Sequence, residues 1–165
     1  MEIINLDSNY RDAVVDYVDT EWGSPIVTRG KIINAHDLPG FIAVDNNKLA
    51  GAVLYQIANN ECEIVVLYSL IENKGVGSKL INTVIEWAKK QGCTRVWLIT
   101  TNDNTPAIRY YQKRGLMLKA VHVNAFKITQ QLKSEFGECN ADGEGLIIGI
   151  DGIPILHEIE FEFIL

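Results

Sequence analysis

The sequence predicts an α/β (α+β) fold, a central mixed, mostly antiparallel β-sheet flanked by helices. Three observations predict it. Phe41–Val44, Leu49–Ile57 and Cys62–Tyr68 are apolar, β-branched runs separated by Asp45-Asn46-Asn47-Lys48 and Asn59-Asn60. Those separators are residues that tight turns favour, so the three runs read as a strand meander. The last run then passes through a glycine turn, Glu72 to Gly77, straight into an amphipathic helix, and Arg95–Thr100 follows as another strand. A strand–helix–strand order of this spacing makes its two strands parallel with a right-handed crossover. Finally, Ile155, His157, Ile159, Phe161 and Phe163 alternate with Leu156, Glu158, Glu160 and Glu162, the period of a strand with one acidic face.

The remaining elements follow in order. Met1 to Leu6 reads as a first strand, and Asp7-Ser8 offers an N-cap for a helix that runs to about Trp22 and stops at Gly23. Residues Gly23 to Gly40 are irregular, with a short helix around Arg29 to Ala35. The helix from Gly75 to Gln91 has Val76, Leu80, Val84 and Ala88 on one row and Ile81 and Ile85 on the next. Lys79, Asn82, Glu86 and Lys90 fall on the opposite side, and Gly92 ends it. Thr105 is the N-cap and Pro106 the first residue of a second helix that ends at Gly115. Leu116 to about Val123 is a strand and Asn124 to Lys133 a helix. After a glycine-rich span, Gly137 to Gly145, the segments Leu146–Ile150 and Ile153–Leu165 read as a hairpin about Asp151-Gly152. No repeat, low-complexity tract or linker interrupts the chain, so its 165 residues are read as a single domain.

Composition narrows the function classes. The apolar fraction of 47% and charged fraction of 22% are those of a soluble globular chain, and no apolar run approaches the ~20 residues of a membrane span. Met1-Glu2-Ile3-Ile4 lacks the pattern of a signal peptide, so a cytoplasmic location is expected. Cys62, Cys93 and Cys139 are odd in number with no C-x-x-C pair, which argues against a disulfide framework or a metal site. A net charge of −6 disfavours a nucleic-acid partner and favours cationic ligands.

The glycine turn admits two readings. A helix start leaves backbone N–H groups unpaired and carries partial positive charge, so Gly75-Val76-Gly77 can receive a phosphate. Equally, the glycines can serve the turn alone. Two familiar nucleotide motifs are absent: no Gly-x4-Gly-Lys-Ser/Thr string occurs, and the third glycine of a dinucleotide fingerprint is replaced by Leu80.

A second motif decides between the readings. Glu72-Asn-Lys-Gly75-Val-Gly77 stands where the GNAT superfamily of acyl-CoA-dependent N-acyltransferases carries its Gln/Arg-x-x-Gly-x-Gly/Ala pyrophosphate loop. Asn104-Thr-Pro-Ala107-Ile-Arg-Tyr-Tyr111-Gln-Lys-Arg-Gly115-Leu116 resembles that family's Asn-x-x-Ala-x-x-x-Tyr-x-x-x-Gly-Phe signature, with Leu in place of Phe. Together the motifs span Glu61 to Leu116 at family-like spacing, and the flanking elements fit the family's fold, in which a parallel strand pair splays at the acyl-CoA site. Glu72 departs from the family's Gln or Arg.

The resemblance implies acetyl-CoA as co-substrate and a primary amine, on a small molecule or peptide, as acceptor attacking the thioester directly. It implies that the backbone of Val65 and Leu67 holds the pantetheine arm and polarises the acyl carbonyl, and that Lys74, Gly75, Val76, Gly77, Ser78 and Lys79 form the pyrophosphate seat. Asn104 is implied near the amide arm, with helix capping as its alternative. Tyr111 is implied as the general acid that protonates the leaving thiolate, with a packed helix tyrosine as its alternative. A general base is sought at Glu63 first and Glu61 second, since a period of two puts both on the face of Val65 and Leu67; a solvated strand-end carboxylate is the alternative for each. His157 reads as a packed, hydrogen-bonded histidine, and neither His122 nor His36 has a partner visible in the sequence. Glu158, Glu160 and Glu162 read as a solvated face or the wall of an acceptor cleft. No metal is expected, and a homodimer through the terminal hairpin is one expected assembly. A non-catalytic acyl-CoA-binding module and an enzyme with a longer acyl donor remain as alternatives.

Overall fold

The computed structural model describes residues 1–135 and 146–165, so the glycine-rich span and Cys139 lie outside the described residues. Among the described residues the fold is mixed α/β, mostly antiparallel with one parallel strand pair and four helices. In chain order the elements are β1 (Glu2–Asn5), α1 (Ser8–Trp22), β2 (Ile26–Thr28), β3 (Lys31–Ile33), β4 (Gly40–Asp45), β5 (Lys48–Ala58) and β6 (Glu61–Ser69). There follow α2 (Val76–Lys90), β7 (Arg95–Thr101), α3 (Thr105–Gln112), β8 (Met117–His122), α4 (Ala125–Glu135) and β9 (Glu158–Ile164). Seven strands follow the order β1-β4-β5-β6-β7-β9-β8, and β2-β3 is a separate antiparallel pair.

The chain resolves into two compact units: Met1–Glu21, Ala35–Trp97 and Phe163–Leu165 form the first, Trp22–Asn34 and Leu98–Glu162 the second. In the first unit the expected meander is present as the ladders β4/β5 and β5/β6, with β1 added against β4. Helix α2 buries Val76, Leu80, Ile81, Val84, Ile85 and Ala88, the two rows its periodicity marks. Burying each of the larger aliphatic side chains is worth about 1.5–3 kcal/mol, so this face, not helix propensity, holds α2 in place. Phe41 and Tyr55 stack at 5.6 Å, and Trp87 of α2 meets Phe41 edge-on at 6.2 Å. On the opposite face of the meander, Tyr68 stacks on Tyr17 of α1 with ring centroids 4.2 Å apart.

Three expectations are corrected. The segment expected to form a helix around Arg29 to Ala35 is instead the β2–β3 hairpin, followed by a single 3-10 turn at Ala35–Asp37. Arg29 and Gly30 at its tip both have positive φ, 49° and 70°, the geometry of a tight hairpin turn, and Ile26, Val27, Ile32 and Ile33 are β-branched. The terminal segment is not a continuous hairpin. Ile148 and Pro154 form an isolated bridge, Ile150–Gly152 is a 3-10 turn, and β9 pairs antiparallel with β8. The cap of α3 is Asn104, whose side chain accepts the Ala107 N–H at 3.2 Å, with Thr105 already helical.

The acidic face of β9 is also corrected. Glu158, Glu160 and Glu162 are buried, not solvated, and each has partners. Glu158 accepts from the Arg29 backbone N–H at 3.1 Å and the Thr129 hydroxyl at 2.7 Å. Glu160 meets the Arg29 guanidinium at 3.1 Å and His122 Nε2 at 2.9 Å, and Glu162 meets Lys119 at 3.1 Å. A buried carboxylate without such partners would be strongly destabilising, so Arg29, His122 and Lys119 explain how an acidic stripe can lie inside the second unit.

Candidate active site

In the first unit the candidate residues lie along β6 and at the start of α2. The β5/β6 ladder pairs Tyr55 with Ile64 but Leu54 with Val66, so Val65 is the extra residue of a β-bulge. A bulge interrupts regular ladder pairing and turns the backbone of the bulged strand, which is how a strand can offer main-chain groups to a ligand. The bulge also reverses side-chain alternation. Glu63 pairs with Gln56 and Val66 with Leu54, so both lie on one face, whereas Leu67 pairs with Val53 on the other. Glu61 and Glu63 therefore do not share the face of Leu67; a strict period of two fails at Val65.

On that face Glu63 is buried, and its Oε2 accepts a hydrogen bond from Gln56 Nε2 at 2.6 Å. The carboxylate is thus held in one orientation by its cross-strand neighbour. Glu61 is instead engaged by Arg95, Nη2 to Oε2 at 2.8 Å, with the Arg95 guanidinium 5.4 Å from the Trp97 ring centroid. Glu61 is therefore already committed to a cation.

The strand leads through Ser69–Lys74 into α2. Gly75 is the residue before the helix, with φ 70° and ψ 19°, and no side chain caps the helix there. The first intrahelical bond runs from Lys79 N–H to the Gly75 carbonyl at 3.1 Å, so the amides of Val76 and Gly77 belong to the turn that a helix leaves without internal acceptors. Helix start, glycine backbone and missing side-chain cap together suit an anion. Glu72, Lys74 and Lys79 are all exposed. Lys74 Nζ lies 3.5 Å from Asp45 Oδ2, a partner that no local motif predicts.

The second unit carries Asn104 and Tyr111 on α3. Asn104 caps the helix, as above. Tyr111 meets Tyr110 edge-on at 5.6 Å and Phe161 of β9 in a tilted contact at 5.8 Å. Burial, with a smaller contribution from Tyr110, pushes the Tyr111 phenol up to about 12. The turn before α3 is built by adjacent side chains that the motif does not include. Asn102 accepts from the Leu156 and His157 amides and donates to the Pro154 carbonyl, and Asp103 accepts the Ile150 N–H at 3.0 Å. A side chain at Gly149 would collide with Asp103, its Cβ falling 2.1 Å from Oδ2. His157, in turn, accepts the Asn124 N–H at 3.0 Å through Nδ1.

Comparison with known proteins bears on the family and the fold. A family model described as "Acetyltransferase (GNAT) family" matches residues 6–116. The protein YdhI of Bacillus subtilis strain 168 is 39% identical over 145 residues, covering 87% of this chain and 91% of YdhI. Among solved structures, a Bacillus subtilis acetyltransferase in complex with CoA superposes with a TM-score of 0.69 at 19% identity, covering 99% of this chain and 98% of the other. A GNAT family acetyltransferase from Elizabethkingia anophelis with acetyl-CoA bound gives 0.68 at 19% identity, covering 99% and 97%. With the family model spanning most of its length and YdhI matching nearly end to end, the chain belongs to the GNAT acetyltransferase family.

Proposed function

We propose that the protein is an N-acetyltransferase that moves an acetyl group from acetyl-CoA to a primary amine of a small molecule or peptide by direct attack. The single observation that carries this reading is the β6 bulge at Val65 running into the uncapped glycine start of α2. A strand with its ladder interrupted and a helix start with spare amides supply, in one stretch, donors for a thioester arm and for a pyrophosphate.

In this mechanism the backbone around Val65 and Leu67 holds the pantetheine arm and polarises the acyl carbonyl. The pyrophosphate rests on the amides of Gly75 to Ser78, with Lys74 and Lys79 as cations beside it. Glu63, held by Gln56, accepts the proton that the acceptor amine must lose, directly or through water. The neutral amine attacks the carbonyl carbon, the C–S bond breaks, and Tyr111 gives its proton to the departing thiolate. Asn104 acts as the helix cap that fixes where α3 begins, and so where Tyr111 stands. The free, buried thiols Cys62 and Cys93 fit a reducing, cytoplasmic setting.

The test is thiol release from acetyl-CoA across a panel of primary amines, alongside thermal shift with acetyl-CoA alone. Stabilisation by acetyl-CoA with amine-dependent thiol release is the expected result. Stabilisation without release for any amine would make the protein a non-catalytic acyl-CoA-binding module, and no stabilisation would reject the site.

A further inference from the structure

The antiparallel meander brings two turns to the same end of the sheet. Strand β4 ends at Asp45, which pairs with Lys48 across the β4–β5 turn, and the start of β5 pairs with the end of β6, Gly51 opposite Ser69. The glycine turn departs from that end, the Leu70 N–H still bonded to the Ala50 carbonyl at 2.8 Å. Two carboxylates and two lysines therefore bear on the proposed phosphate seat: Glu72, Lys74 and Lys79 from its own segment and Asp45 from the neighbouring turn. Lys74 lies 3.5 Å from Asp45, and the other Asp45 oxygen is 3.3 Å from the Met1 ammonium.

We infer that Asp45 sets the affinity of the glycine turn for the pyrophosphate of its acyl-CoA substrate by competing for Lys74. The inference rests on the acyl-CoA reading above. Two effects of Asp45 oppose each other. It can pre-order a flexible lysine, which helps binding, and it neutralises a cation beside a dianionic group, which hinders binding. Magnitudes decide between them. The Lys74 side chain is 59% exposed and its contact is long, and exposed pairs of this kind are too weak to hold one rotamer. Binding, by contrast, must draw Lys74 away from the carboxylate, and a lysine shared with Asp45 brings that much less positive charge to the phosphates. Competition wins. The Met1 ammonium first, and Lys74 after it, hold the Asp45 carboxyl below its ordinary range, so it stays ionised at any practical assay pH.

The experiment is a double-mutant cycle on the full chain, with Kd measured by calorimetry in low salt. Its ligands are CoA and, as the control without phosphates, pantetheine. Asp45→Asn is expected to tighten CoA by roughly 3- to 10-fold and leave pantetheine unchanged, the gain shrinking at 0.5 M salt and vanishing in a Lys74→Gln background. Melting of the ligand-free variants, and Asp45→Ser as a second substitution, separate a folding defect from this charge effect. Unchanged or weaker CoA binding by both Asp45 variants overturns the inference, as does a gain that persists without Lys74. A wild-type protein that binds no CoA overturns the acyl-CoA reading itself, a different result from a wild type that binds CoA and variants that bind it equally well.

Discussion

Tyr111 is a side chain whose surroundings hold it in the protonated form. Packed against Tyr110 and Phe161, its phenol is pushed up to about 12, so it is a proton donor throughout the physiological range. Tyr111→Phe removes the proton and little of the packing, and kcat for thiol release should fall by about 10²-fold with acetyl-CoA binding kept, the usual scale of a lost general acid. Steady-state rates beside calorimetric Kd values check this; unchanged turnover sinks the role. The same burial has a stability consequence whose sign is definite. The folded pKa lies above the ordinary tyrosine value of 10.0, so the folded state keeps a proton that the unfolded chain loses. That stability is fully present below about pH 10 and is lost as pH rises from about 10 to 12. Tyr55 and Tyr68 are also shifted upward by burial, so the measurement is a difference: urea midpoints of wild type should drop more steeply over that window than those of Tyr111→Phe. The sequence marks Tyr111 through a motif of spaced residues, and the structure adds its packing against Tyr110 and Phe161. The face on which Glu63 lies was not legible, because a run of three β-branched residues, Ile64-Val65-Val66, gives no sign of a bulge. The partners of Glu158, Glu160 and Glu162 were invisible for another reason: they come from Arg29, His122, Thr129 and Lys119, far from β9 in the sequence.

Among the elements, the glycine turn separates what each glycine is for. Gly75 has φ 70° and open space around it, since an added Cβ would meet nothing within 4 Å. Gly75→Ala should therefore cost only the left-handed backbone strain, about 1–2 kcal/mol in denaturant unfolding, with no clash added. Gly77 lies inside α2, where a side chain costs no such strain, so Gly77→Glu should leave stability nearly unchanged. It should weaken CoA at least 10-fold by putting bulk and negative charge at the proposed phosphate seat. Calorimetry that finds CoA affinity intact in Gly77→Glu refutes that placement, whereas a large loss of stability in the same variant would show the residue to be a packing position. Helix α2 was readable in full because its two apolar rows have one solution, a face against the meander. The β2–β3 hairpin was not, because Ile32-Ile33 and the polar residues around them are too short to show a period. What specifies it is turn chemistry at Arg29-Gly30, supported by the Arg29 bonds to Glu158 and Glu160. Similarly, β9 has the alternation of a strand, but its own sequence does not say that its ladder partner is β8 rather than the segment before it.

For the whole molecule, the division into two units bears on the proposal that residues 1–165 are one domain. Each unit is assembled from separate stretches of chain: the backbone passes from one to the other after Glu21, Asn34, Trp97 and Glu162. Neither unit is a continuous piece of sequence, so neither can be cut out as an independently folding fragment, and loss of either leaves the other with its segments untethered. Such a chain is expected to unfold in one cooperative step. The tryptophans make this measurable, because Trp22 belongs to the second unit and Trp87 and Trp97 to the first. In urea, a Trp87→Phe/Trp97→Phe variant, which reports through Trp22, and a Trp22→Phe variant, which reports through the first unit, should each have a fluorescence midpoint that coincides with its own far-UV circular dichroism midpoint. Saturating acetyl-CoA, at about 100 times its Kd, should raise unfolding free energy by about 2.7 kcal/mol and move both fluorescence reporters together. Two separated midpoints, or a ligand that shifts only one reporter, would show two folding domains, and the boundaries at 21, 34, 97 and 162 would then be the places to look for the break.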